Sequence, residues 1–105
     1  MSGKGLGLVE KHLARFAKDA GNDAMIQRLR DALSNGHKIF GPDANFYLHE
    51  AHEATLMNCG LIYEVAHPAA LGKYGVKEFD LYAPEVIQRF PSAFSTGFKR
   101  YWGLE

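Results

Sequence analysis

The chain has a single cysteine, Cys59. No intrachain disulfide can form, which fits a protein that works in a reducing compartment. It has no charge excess either: Lys and Arg number twelve, and so do Asp and Glu. Nucleic-acid binders usually carry a basic excess. Neutrality therefore weighs against extensive phosphate contact and leaves room only for a local basic patch. No apolar run is long enough to span a bilayer. The opening MSGKGLGLVE lacks the apolar core of a signal peptide. There is no phosphate loop, no dinucleotide fingerprint and no G-x-S-x-G. Internal repeats and low-complexity segments are missing too. Strand signals are sparse: only His37–Phe40 and Val76–Tyr82 read as extended or loop.

What is present is enough for a folded domain. Hydrophobic residues make up 47% and charged residues 23% of the 105 positions, a globular balance. The length suits one domain, residues 1–105. The closing Leu104-Glu105 is read as a cloning scar and carries no functional weight. Leu6, Val9, Leu13 and Phe16 recur at helical spacing and predict a first helix over 6–19, with His12 flanking the stripe. Ala20-Gly21-Asn22 is expected to break it. Asn22 or Asp23 then caps a second helix, with Met25 or Ile26, Leu29 and Leu33 facing in, and Asn35-Gly36 ends it.

Residues Asp43 to Gly60, DANFYLHEAHEATLMNCG, predict the central helix, with Asp43 as N-cap and Gly60 as terminator. Leu61 to Gly75 has a helical apolar face interrupted by Pro68. That proline is expected either to kink the helix or to start a new one. PEVIQRF, beginning at Pro84, predicts a short helix. Phe94, Phe98 and Tyr101 or Trp102 form a last helical aromatic stripe. The expected fold is all-α: a compact bundle of five or six short helices around a central helix at about 43–58.

The chemistry concentrates in H-E-A-H-E, His49 to Glu53. At ~100° per residue, Asn45, His49, His52, Glu53 and Leu56 share one face. His at i and Glu at i+4 can share a metal or a proton. The zinc-protease pattern H-E-x-x-H needs a second His at i+4; here Glu53 stands there, and His52 falls one position early. His67 would have to supply a third ligand from the next helix. Metal-free acid–base work needs less: a His beside a carboxylate, and an Arg or Lys to hold phosphate. Arg15, Arg28 and Lys73 are the available cations. The bland alternatives are a solvated polar face for His49, His52 and Glu53, and a ring of His67 that caps carbonyls freed by Pro68. Cys59 has no base beside it.

Several stretches in order carry a resemblance: VEKHLARF (Val9–Phe16), GPDANFYLHEAHEATLM (Gly41–Met57), AHPAALGKYGV (Ala66–Val76), YAPEVI (Tyr82–Ile87) and the closing YWG. From Gly7 to Gly103 the chain resembles the C-terminal toxin domains of bacterial polymorphic, contact-dependent growth inhibition proteins of filamentous haemagglutinin-like or Rhs type. The resemblance implies a secreted toxin tip, carried on a large bacterial surface protein. It would act in the cytoplasm of a neighbouring cell and be neutralised by a cognate immunity protein. Most such tips are nucleases, RNases prominent among them. Carried over position by position, the polar members are His12, His49, Glu50, Glu53 and His67. The chain departs from the pattern at His52, at Pro68 and at Ala83, where His is expected.

The first functional expectation is therefore a metal-independent ribonuclease without a cofactor. His49 and His67 act as base and acid, Glu50 or Glu53 orients a ring, and Arg15 or Arg28 holds phosphate. The second is a metal-dependent nuclease or other hydrolase using His49, Glu53 and His67. The third is a non-enzymatic helical interaction module.

Overall fold

The computed structural model describes residues 1–104; Glu105, part of the expected scar, lies outside them. The described residues form six α-helices and no strand. They are α1 (Gly3–Leu13), α2 (Ala20–Ser34), α3 (Gly41–Asn58), α4 (Tyr63–Tyr74), α5 (Pro84–Arg89) and α6 (Thr96–Tyr101). Two short 3₁₀ turns, Glu78–Asp80 and Pro91–Ala93, join the later helices. Helix α3 packs on α1, α2 and α4 and is the centre of the bundle, as its apolar girth predicts. Of the two stretches read as extended or loop, neither is a strand: His37–Phe40 is a loop, and the other holds the 3₁₀ turn Glu78–Asp80 between loop residues.

Several boundaries shift for identifiable reasons. Helix α1 is capped by Ser2, whose hydroxyl accepts from the Gly5 amide at 3.0 Å, and it stops at Leu13 rather than near 19. Asp19 accepts from the Asn22 amide at 2.9 Å, so it caps α2 and turns Ala20-Gly21-Asn22 into a first turn, not a break. Gly21 is needed there for space: a Cβ would sit 2.7 Å from the Phe94 ring. Asp43 does not cap α3 but lies in its first turn and pairs with Arg28. The C-terminus of α3 follows the expectation. Gly60 has φ +102°, and the amides of Gly60 and Leu61 return to the carbonyls of Met57 and Leu56. Helix α4 continues through Pro68, so no new helix starts there. Pro68 and Glu64 are both exposed, so water can take the carbonyl that the proline leaves unpaired.

An apolar core gathers Leu6, Val9, Met25, Leu29, Phe46 and Val86 from α1, α2, α3 and α5. Ala83 belongs to it, with its amide 3.4 Å from the Met25 sulfur. Small residues set the close approaches on either side of α3. A side chain at Gly5 would collide with the Tyr47 hydroxyl, which fixes α1 tightly against α3. Ala66 and Ala70, one turn apart and fully buried, do the same for α4. These two contacts bring His12 and His67 to opposite sides of α3.

Candidate functional site

The buried stripe of α3 is Phe46, His49, Glu50, Glu53 and Ala54. This i, i+3, i+4, i+7, i+8 series is the face a helix turns to the core, and its middle is polar. His49 is 1% exposed, Glu50 6% and Glu53 2%. The solvated-face alternative therefore does not describe His49 and Glu53. It suits His52 better, which stands apart with its ring 6.1 Å from that of Tyr74. His12, on the inner stripe of α1 behind Leu6 and Val9, is 1% exposed.

Glu53 is the hub. Its Oε1 lies 2.8 Å from His12 Nε2. Its Oε2 lies 3.0 Å from His49 Nε2 and 2.9 Å from His67 Nδ1. The two histidine nitrogens are 3.2 Å from each other. Glu50 Oε2 sits 3.4 Å from His12 Nε2 and has no hydrogen-bond partner, and neither has His49 Nδ1. All five residues carried over from the resemblance thus meet in one place. His67 is held from outside by Tyr63, stacked on its ring at 5.1 Å one turn earlier on α4. Its Nε2 points to Glu78, 3.7 Å away.

Burial alone would raise the Glu53 pKa. Hydrogen bonds from His12, His49 and His67 outweigh it and hold the carboxyl well below the usual carboxylate range. Burial lowers the His12 pKa, but Glu50 and Glu53 more than offset that and raise it to about 9. One contact pulls the other way: Arg15 Nη1 lies 3.2 Å from His12 Nδ1, as a donor to a neutral ring. Two facing carboxylates outweigh one donor at the rim, so the raised direction stands. His67 is also raised, first by Glu53, against its burial.

The site opens into a cleft of ≈ 540 Å³. Glu50, Glu53 and His67 lie on its floor, and Asp19, Glu64 and Glu78 add carboxylates around it. Among the described residues no Lys or Arg lines this cleft. Arg15 reaches His12 and Asn58 at the end of α3 instead. Arg28 is far from the site in use: Asp43 grips it at 2.8 and 2.9 Å, and Glu85 lies 3.4 Å away. Ala83, where the resemblance leads one to expect His, is in the apolar core. Tyr63, Glu78, Asp19 and Tyr82 line the cleft without having stood out in the sequence. Only Tyr63 had a signal, its i, i+4 relation to His67.

The triangle of His49 Nε2, His67 Nδ1 and Glu53 Oε2 poses a proton problem. If both rings donate to Oε2, the two nitrogens face each other with no lone pair between them. If one gives up its proton, Oε2 loses a donor. A cation satisfies all three lone pairs at once. Three ligands about 2.1 Å from a cation stand roughly 3.0–3.4 Å apart, close to the three observed edges. His12, Glu50 and Glu53 form a second group of potential ligands. No protein-family model, curated protein or solved structure matches the chain.

Proposed function

We propose that this chain is a divalent-metal-dependent hydrolase, its cation held by His49, Glu53 and His67, and that it cleaves nucleic-acid phosphodiesters. The observation that carries this reading is the triangle of ligand atoms, with edges of 2.9, 3.0 and 3.2 Å, two of whose three residues, Glu53 and His67, line a carboxylate-rich cleft. A cation held by His49, Glu53 and His67 would supply a water of lowered pKa and polarise a phosphoryl oxygen. In the reaction, the water oxygen bonds to phosphorus, the ester P–O bond breaks and a proton ends on the leaving alcohol. The chain's own residues position the site. His12 fixes the far oxygen of Glu53, and Tyr63 fixes the plane of His67.

The metal-free mechanism has less support. Base and acid must flank a phosphodiester from two sides, but His49 is buried and touches His67. A cleft without Lys or Arg among the described residues gives a bare phosphate no counter-charge. The substrate class comes from the resemblance to polymorphic toxin tips, and with it the cognate immunity protein and action in a neighbouring cell's cytoplasm. An adjoining hollow of ≈ 420 Å³ shares Asp19 and Asn22 with the cleft and adds Lys18 as a cation for a flanking phosphate; its Arg30 is held by Glu10 at 2.9 Å.

The test is cleavage of total RNA and of duplex DNA by the purified chain, first in EDTA and then with excess Zn²⁺, Mn²⁺ or Mg²⁺. The expected result is no cleavage in EDTA, recovery with a divalent cation, and no recovery in His67→Ala. Undiminished cleavage in EDTA would overturn this reading and favour the metal-free one.

A further inference from the structure

We infer that the site binds two divalent cations bridged by Glu53, the second held by His12, Glu50 and Glu53. The inference rests on the metal-dependent reading above and deepens it. At ~100° per residue, His49, Glu53 and Glu50 occupy successive positions across about 100° of the α3 surface, with Glu53 in the middle. Each flank has its own histidine from a neighbouring helix. His67 of α4 stands beside His49, and His12 of α1 stands beside Glu50. The Glu53 oxygens divide accordingly, Oε2 to the His49–His67 side and Oε1 to the His12 side. The result is two ligand groups joined by one carboxylate.

Glu50 supplies the independent observation. It is 6% exposed, and its Oε2 has no hydrogen-bond partner. Its nearest cationic neighbour is His12 Nε2 at 3.4 Å, an ion pair that leaves this buried oxygen without a hydrogen bond. The single proton on His12 Nε2 cannot serve both carboxylates. It goes to Glu53 at 2.8 Å and leaves Glu50 at 3.4 Å. A cation between these three side chains partners both carboxylates and takes the Nε2 lone pair. Cations bridged by one carboxylate lie about 3.5–4 Å apart, the spacing at which a pair clamps both oxygens of a phosphodiester displacement. Glu50 and Glu53 both line the cleft, so the open side of the pair faces the substrate space. Two divalent cations on two carboxylates leave an excess of positive charge. The cluster would then attract an anionic ester although the cleft walls are acidic.

Mn²⁺ titration of the EDTA-stripped chain, followed by equilibrium dialysis and electron paramagnetic resonance, tests this. Two ions per chain with an exchange-coupled spectrum are expected. Glu50→Gln, which preserves shape, should bind one ion and show the uncoupled six-line signal; His12→Ala should do the same, with circular dichroism confirming the fold. One ion per wild-type chain, unchanged in Glu50→Gln, would overturn the second site and leave the first intact. Two ions without coupling would overturn the bridge. No bound ion would overturn the metal-dependent reading itself, so the two failures are distinguishable.

Discussion

Helix α3 presents two different interiors along one buried stripe. At Phe46 it meets Val9, Met25, Leu29 and Val86, an apolar core. One turn later, at His49, Glu50 and Glu53, it meets His12 and His67. The first interior stabilises the fold: a fully buried large side chain contributes about 1.5–3 kcal/mol. The second at best breaks even, because each buried ion loses several kcal/mol of hydration that its partners must return. Leu and Phe at the same positions would serve stability better. Retaining two carboxylates and three imidazoles in the middle of a small domain is understandable as preparation for a ligand.

The largest expected effects fall on this contrast directly. Phe46→Ala should cost about 3–5 kcal/mol of stability by urea unfolding, while cation affinity per folded molecule stays unchanged. A parallel loss of affinity would show that the two interiors are not separable. In the polar half the ligand should carry the stability. At a free cation concentration of ~100 times Kd, the gain is about 2.7 kcal/mol. For a chain of this size that is roughly 10–20 °C in Tm. His67→Ala should remove the share of that gain due to the first ion by scanning calorimetry and leave the metal-free Tm within a few degrees.

A pH series sharpens the comparison at intermediate size. The folded pKa of His12 is raised from 6.5 to about 9. Its contribution to metal-free stability is therefore complete below pH 6.5 and is lost as pH rises to about 9; it is on the order of 3 kcal/mol. Glu53 is depressed, so its contribution is present above the usual carboxylate range and lost as pH falls. Metal-free stability should peak between those limits. With a cation bound the upper slope should reverse, because protons compete for the same nitrogens. His12→Gln should reduce the metal-free alkaline slope to the part due to His67, whose pKa is also raised. Urea midpoints from pH 5 to 9.5, with and without EDTA, measure both.

The sequence carried the helical content and the identity of the cluster, because spacing and residue type alone decide them. Which side of α3 is buried was harder to see. His49 and Glu53 shared a face with His52 in the spacing argument, and only the packing of α1 and α4 selects Glu50 in place of His52. His12 read as a flank of its stripe, yet it is the third buried member after Leu6 and Val9, because Gly5 lets Tyr47 and α3 come close. Helix starts slipped where local chemistry competed. Asp19, not Asn22, caps α2, and it takes the amide of Asn22 in the first turn. Arg28 looked like a phosphate ligand because its carboxylate partners, Asp43 and Glu85, are distant in sequence. The acidic lining of the cleft is assembled from α2, α4 and the 3₁₀ turn at Glu78–Asp80, and no local pattern announces it.

The smallest expected effect tests how the polar interior is tuned from its rim. Arg15 lies just past the end of α1, with its Nη1 3.2 Å from His12 Nδ1, and also reaches Asn58. A cation on His12 Nε2 requires the ring proton to sit on Nδ1, where it would face the guanidinium. Arg15 and the second cation thus exclude one another, by donor against donor and by like charge. Arg15→Ala should tighten the second Mn²⁺ by about 5–10-fold, the scale of one charge-assisted hydrogen bond at a partly exposed site. The first ion, on His49 and His67, should be unaffected. Asn58→Ala frees Arg15 without removing its charge, so it should tighten the second ion less. If both ions respond equally to Arg15→Ala, the effect is general electrostatics, and His12 then has no part in holding the second one.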